Sequence, residues 1–94
     1  MTQVIYGLIM TGVDLDGPEP LYRQVAAEIQ RRIREGIYPP GRRVPSSAAL
    51  SDEFGVPRRT AVEALGVLRK KGVVRGVVGR GTFVVGVSDS PENE

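Results

Sequence analysis

Ninety-four residues, 40% of them hydrophobic and 26% charged, allow one small folded unit, and a core of that size is thin unless part of its apolar surface is buried against a partner. The chain has neither Cys nor His, which excludes disulfides, thiolate chemistry, imidazole bases and the usual zinc ligands, and with them most routes to an enzyme. Its formal net charge of +2 conceals a division: all thirteen Lys and Arg lie between Leu21 and Val85 with only five acids, Glu28, Glu35, Asp52, Glu53 and Glu63, while the other six acids fall in the two flanks.

A cationic middle of this kind is the electrostatic footprint of a nucleic-acid binder, because neutralising phosphates releases their condensed counterions. The first ten residues, MTQVIYGLIM, are apolar. The run is too short to span a bilayer and has no basic n-region or small-residue cleavage pattern, so a cytoplasmic chain is expected. A stray leader, an edge strand and a contact surface are all compatible with residues 1–12. Asp14 to Pro20 (DLDGPEP) is a turn-rich acidic linker, and residues 1–19 are expected to form a partly flexible N-terminal segment.

The first helix is expected to open with Pro20 at its first position, where a missing N–H costs nothing. Apolar residues then recur every fourth position at Leu21, Val25, Ile29 and Ile33, widened by Ala26, which makes one core-facing stripe with Arg31, Arg32 and Arg34 largely on other faces. Gly36 suits the helix end near Glu35, and Tyr38-Pro39-Pro40-Gly41 forces an extended turn after it. A short second helix follows Pro45, with Ser46 as its N-cap and Leu50 and Phe54 one turn apart on its buried face. Gly55 permits a left-handed helix end, Val56 returns the chain to the core, and Pro57 fits the first turn of a third helix running to about Lys71 and stopping at Gly72. That helix is expected to bury Ala61, Ala64, Leu65 and Leu68, with Val62 and Val67 at the margins and Arg58, Arg59 and Thr60 at its exposed start. Arg69, Lys70 and Lys71 complement the negative end of its dipole, and Asp52, Glu53 and Glu63 are expected on the surface.

Val73 to Val78 and Thr82 to Val85 are β-branched runs around Gly79-Arg80-Gly81, a hairpin signature with a basic tip. Residues 86–94 are polar and acidic and are expected to fray. The expected fold class is therefore mainly α with a small β-hairpin, a winged helix-turn-helix of three helices plus a wing over residues 20–85. Such a unit offers a helix to the major groove and a hairpin to the flanking backbone or minor groove.

Three blocks carry a family resemblance. Pro20-Leu21-Tyr22-Arg23-Gln24-Val25 is similar to the opening helix of the HutC and YtrA-like branches, Tyr38-Pro39-Pro40-Gly41 with Val44-Pro45-Ser46 is similar to the linker, and Gly79-Arg80-Gly81-Thr82-Phe83-Val84 is similar to the wing. From about Pro20 to Val85 the chain resembles the DNA-binding domain of GntR-type bacterial transcription regulators. The resemblance implies a homodimer on a palindromic operator in double-stranded DNA, more often a repressor than an activator. It implies Arg58, Arg59 and Thr60 as base readers and Gly79 and Arg80 as wing contacts. Arg42 and Arg43 are available for phosphates, and Ser47 stands where the second helix meets DNA.

The chain departs from the family pattern at two places. Ser47-Ala48 replaces a common Glu-Arg pair, and Val62 replaces a common arginine two positions after the matched threonine. A common operator is therefore not expected. The family usually adds a C-terminal effector domain, and no such domain or small-molecule pocket is evident in this sequence. No cofactor, metal or membrane partner is expected. The rival class left open is a winged-helix protein-interaction module with only non-specific DNA affinity. RNA binding would call for stacking aromatics on a sheet, whereas Tyr22, Tyr38, Phe54 and Phe83 are placed for packing. Gly79-Arg80-Gly81 matches neither a P-loop nor a dinucleotide fingerprint.

Overall fold

The computed structural model describes residues 13–85; the expectations for residues 1–12 and 86–94 fall outside the described residues. The elements are α1 (Leu21–Arg34), α2 (Ser47–Phe54), α3 (Arg58–Lys70), β1 (Val74–Val77) and β2 (Gly81–Val84). Three helices followed by a two-stranded hairpin form a winged helix-turn-helix, as expected. Two boundaries differ in a consistent way. Pro20 and Pro57 occupy the N-cap positions of α1 and α3 with extended ψ, one residue ahead of the first helical position. Each carbonyl starts its helix: Pro20 O accepts from Arg23 N and Gln24 N, and Pro57 O from Thr60 N and Ala61 N.

The helix ends follow from glycine. Gly36 (φ +81°) and Gly72 (φ +77°) both close Schellman motifs. After α1, Ile37 N donates to Arg32 O and Gly36 N to Ile33 O. After α3, Val73 N donates to Leu68 O and Gly72 N to Arg69 O. The turn between α2 and α3 is fixed from both sides. Gly55 takes the left-handed conformation, Ser46 Oγ accepts from Ala49 N at the start of α2, and Ser51 Oγ donates to Val56 O at 2.6 Å.

The helix α3 packs against both α1 and α2 and also touches β1. Their apolar stripes meet in one core of Val25 and Ile29 from α1, Leu50 and Phe54 from α2, and Ala61, Ala64, Leu65 and Leu68 from α3. Val44, Val56, Val74 and Val84 close its edges, and Val13 joins it from ahead of α1. Residues 13–20 are tied to α1 by Gln24, whose side chain accepts from Asp14 N and donates to Asp14 O and Glu19 O.

Arg32 does not lie on the outer face with Arg31 and Arg34: it is buried. Its Nε meets Glu28 Oε2 at 2.9 Å, and its Nη1 meets Glu53 Oε2 and the Tyr38 hydroxyl, each at 2.8 Å. Its guanidinium also lies 5.0 Å from the Phe54 ring centroid and 5.9 Å from that of Tyr38. Glu53, exposed as expected, is the α2 anchor of this network.

The hairpin is shorter than its β-branched runs. Val74 pairs with Val84 and Val77 with Gly81, so Val73 and Val78 lie outside the strands and Gly81 opens β2. Arg80 N donates to Val77 O at 2.9 Å across a turn in which Gly79 has φ +76°. The segment 41–44, expected only as an extended linker, docks on the far edge of β2. Gly41 N donates to Val84 O, Val84 N to Arg42 O, and Val44 N to Thr82 O, with Arg43 bridged antiparallel to Phe83. The wing is thereby braced on both edges of β2.

Candidate nucleic-acid interface

The side of the molecule that carries the wing is built from three pieces. Arg58, Val62, Leu65 and Arg69 fall at i, i+4, i+7 and i+11, which is one stripe of α3. Leu65 is buried, Val62 is 49% exposed and both arginines are exposed. Beside the stripe runs a groove lined by Val62 and Arg69 of α3, Ser46 and Ser47 at the start of α2, and Arg43 and Thr82 of the braced wing. A second depression at the wing tip is lined by Arg42, Arg43, Gly79 and Arg80.

Of the residues expected to form a site, Arg43, Gly79 and Arg80 are brought together at the wing tip, and Arg43 and Ser47 share the groove. Arg58, Arg59 and Thr60 form the first turn of α3, one turn ahead of Val62; both arginines are exposed and Thr60 is half-buried. Arg43 is more than a free cation, because its Nη1 donates to Arg80 O at 3.0 Å. Its stem lies against Gly81, where an added Cβ would come within 2.8 Å of Arg43 Cδ. Gly81, at φ +117°, therefore lets the arginine lie across the hairpin and hold the tip. Ser47 supplies a backbone position. Ser46 Oγ and O engage the amides of Ala49 and Leu50, which leaves the amides of Ser47 and Ala48 as the open donors of α2.

The ion pairs lie away from this side. All four ion pairs among the described residues belong to Arg31 and Arg32 and reach Glu28, Glu35 and Glu53. Arg42, Arg43, Arg58, Arg59, Arg69 and Arg80 form none with a described residue, and neither do Arg23 and Arg34 of α1. The hydrogen bonds of Arg31 hold the Glu28 carboxyl below the ordinary glutamate range; burial opposes this, and Arg32 adds to the lowering. For Arg32 burial is the largest single influence and pulls its pKa down, yet the bonds to Glu28, Tyr38 and Glu53 together raise it, so it stays charged inside the fold. Among the described residues no cluster of acids could hold a metal ion, and no helix is long and apolar enough to cross a membrane.

Three surface features were not legible as site residues. Val62 was expected at a core margin, yet it faces the groove. Arg69 was expected only to complement the α3 dipole, yet it lines the groove and reaches over β1, where a Cβ on Gly76 would lie 3.5 Å from its Nη1. Val78 stands fully exposed at the wing tip. The stripe at i, i+4, i+7 and i+11 was the available signal for the first two, and for Val62 so was its place where the family commonly has an arginine.

Comparison with known proteins agrees with this geometry. The family model of the bacterial regulatory proteins of the gntR family matches residues 21–84. The mannosyl-D-glycerate transport/metabolism system repressor MngR of Escherichia coli (strain K12) is 41% identical over 68 residues, which cover 72% of this chain and 28% of the repressor. The histidine utilization repressor of Pseudomonas putida is 42% identical over 69 residues, covering 73% of this chain and 28% of that protein. The chain thus spans little more than a quarter of the length of these relatives. Among solved structures, the AraR DNA-binding domain in complex with an operator superposes with a TM-score of 0.72 at 37% identity, over 78% of this chain and 94% of that one. YtrA from Sulfolobus acidocaldarius, a GntR-family transcription factor, superposes with a TM-score of 0.71 at 31% identity, over 89% and 86%. Matched by the family model over more than half of its residues and sharing the winged-helix fold of these proteins, the chain belongs to the gntR family of bacterial regulatory proteins.

Proposed function

We propose that residues 20–85 are the DNA-binding unit of a cytoplasmic transcription regulator that binds a palindromic operator as a homodimer and represses by occluding it. The observation that carries this reading is the clustering on the winged side of arginines that make no ion pair among the described residues, while the buried arginine makes several. The likeness to the operator-bound AraR DNA-binding domain supports the same reading.

Each expected residue has a physical role. Arg58 and Arg59 stand at a helix start, where a guanidinium reaches the O6 and N7 of guanine in a bidentate pair worth about 1 to 3 kcal/mol of discrimination. Thr60 contacts a thymine methyl or a phosphate beside them. Gly79 lets the wing approach the backbone closely, and Arg80 enters the narrow negative potential of the minor groove. Arg43 and the amides at Ser47 take phosphates on either side of the groove. A single module of this size reads only a few base pairs, so a symmetric pair of half-sites read by two copies gives the selectivity that one copy lacks.

Selection of bound sequences from a random duplex library at near-physiological salt tests the proposal. An enriched palindrome with half-sites about one helical turn apart is expected. Binding without sequence preference that collapses as salt rises would point instead to a module serving protein partners.

A further inference from the structure

We infer that Val62 is a specificity-determining residue that reads the 5-methyl group of a pyrimidine, normally thymine, in the major groove. The inference rests on the DNA-binding reading above and adds the chemistry of one base position to it.

Val62 shares a stripe with Arg58 and Arg69 and lines the groove between α3, the start of α2 and the wing. It is half exposed, and of the other groove residues outside α3, Arg43, Ser46, Ser47 and Thr82 carry polar side chains, while Val44, Pro45 and Gly81 do not. The remaining exposed large apolar residues among those described, Leu15, Ile37 and Val78, lie outside the three helices.

A valine offers no hydrogen bond, and its β-branched side chain is held almost entirely in one rotamer on a helix, so its two methyl groups point in a fixed direction. The major-groove edges of the base pairs present hydrogen-bonding atoms and one apolar group, the C5-methyl. That methyl is the complement of a fixed, half-exposed valine. Four residues separate Val62 from Arg58, a rise of about 6 Å along the helix, and base pairs repeat about every 3.4 Å. The methyl-bearing base therefore lies about one or two base pairs from the base that Arg58 reads.

The test uses the purified 94-residue chain and the half-site found by selection, with each thymine on either strand replaced singly by uracil. That change removes only the methyl group and leaves pairing and the minor groove intact. At one position, one or two base pairs from the guanine whose preference Arg58→Ala relaxes, affinity is expected to fall roughly fourfold, the effect of a single buried carbon. Val62→Ala should bring the thymine-to-uracil ratio at that position to about one while leaving the ratios elsewhere and the melting temperature unchanged, as suits an exposed residue. A cytosine placed there should bind more tightly once it is 5-methylated. Equal binding of thymine and uracil at every position, or a ratio that survives Val62→Ala, would overturn the methyl contact while leaving the regulator reading intact. If no half-site is enriched at all, the regulator reading itself fails and the inference fails with it.

Discussion

Arg32 and Arg58 are the same residue type on neighbouring helices with opposite environments. Arg32 is buried, shares Glu28 and Glu53, bonds the Tyr38 hydroxyl and lies near two aromatic rings. Arg58 is exposed and forms no ion pair among the described residues. The first spends its donors on joining α1, α2 and the intervening linker, so little of its charge is available outside. The second keeps its five donors for a partner. In a small basic domain, then, a count of cations overstates the binding surface. The arginines that matter to a polyanion are those the fold leaves unpaired.

Substitutions on the two sides should separate cleanly. The largest effect is expected from Arg32→Ala, which strips Glu28 of one of its two arginines and leaves Glu53 and the Tyr38 hydroxyl without theirs, and should cost about 1 to 3 kcal/mol of stability, measured by urea unfolding. Arg58→Ala or Arg59→Ala should change stability by less than about 0.5 kcal/mol, and should relax base preference at one operator position by about 1 to 3 kcal/mol, read by competition binding. If Arg58→Ala destabilised as much as Arg32→Ala, the division between the two classes would not hold.

Acid should strike the paired side alone. The Glu28 carboxyl is held below its ordinary value, first by Arg31 and then, against burial, by Arg32. A carboxyl with a lowered folded pKa stabilises the fold fully above its unfolded value of about 4.3, and that contribution disappears as pH falls through the lower folded value. Unfolding followed from pH 6 downward, to about pH 2, should therefore show an acid limb that Glu28→Gln flattens. An unaltered limb would mean that other carboxylates dominate. The smallest effect belongs to the wing tip. Arg80→Ala should leave base preferences unchanged and reduce the slope of log affinity against log salt by about one unit per bound protomer; an unchanged slope and affinity would take the wing off the DNA.

Local chemistry made much of the fold legible in the sequence. The spacing of Leu21, Val25, Ile29 and Ile33, the Ser46 cap, and the glycines at 36, 55 and 72 each act within one or two turns, and α1, α2, α3 and the hairpin follow from them. What was hidden depends on residues distant in sequence. Arg32 reads as one of several surface arginines because its partners Tyr38 and Glu53 lie beyond the end of its own helix. Arg42-Arg43 reads as linker because an edge strand needs its neighbour, and β2 lies about forty residues later. The two prolines fell one residue outside their expected positions because each carbonyl, rather than each ring, starts the helix. The exposure of Arg58, Arg59 and Arg80 was legible from their placement at a helix start and hairpin tip. Val62 was marked only as standing where the family commonly has an arginine; its exposure was not legible, since a half-exposed valine and a core-margin valine look alike until the groove beside it is known.

The separation of the two arginine classes is tested most directly by following the arginine Nε–Hε signals by NMR while a selected operator duplex is added. Arg58, Arg59 and Arg80 are expected to shift and to exchange more slowly on binding, while Arg31 and Arg32 keep the signals they have in the free protein. Movement of Arg32 together with silence from Arg58, Arg59 and Arg80 would contradict the assignment of the winged side as the DNA-binding surface.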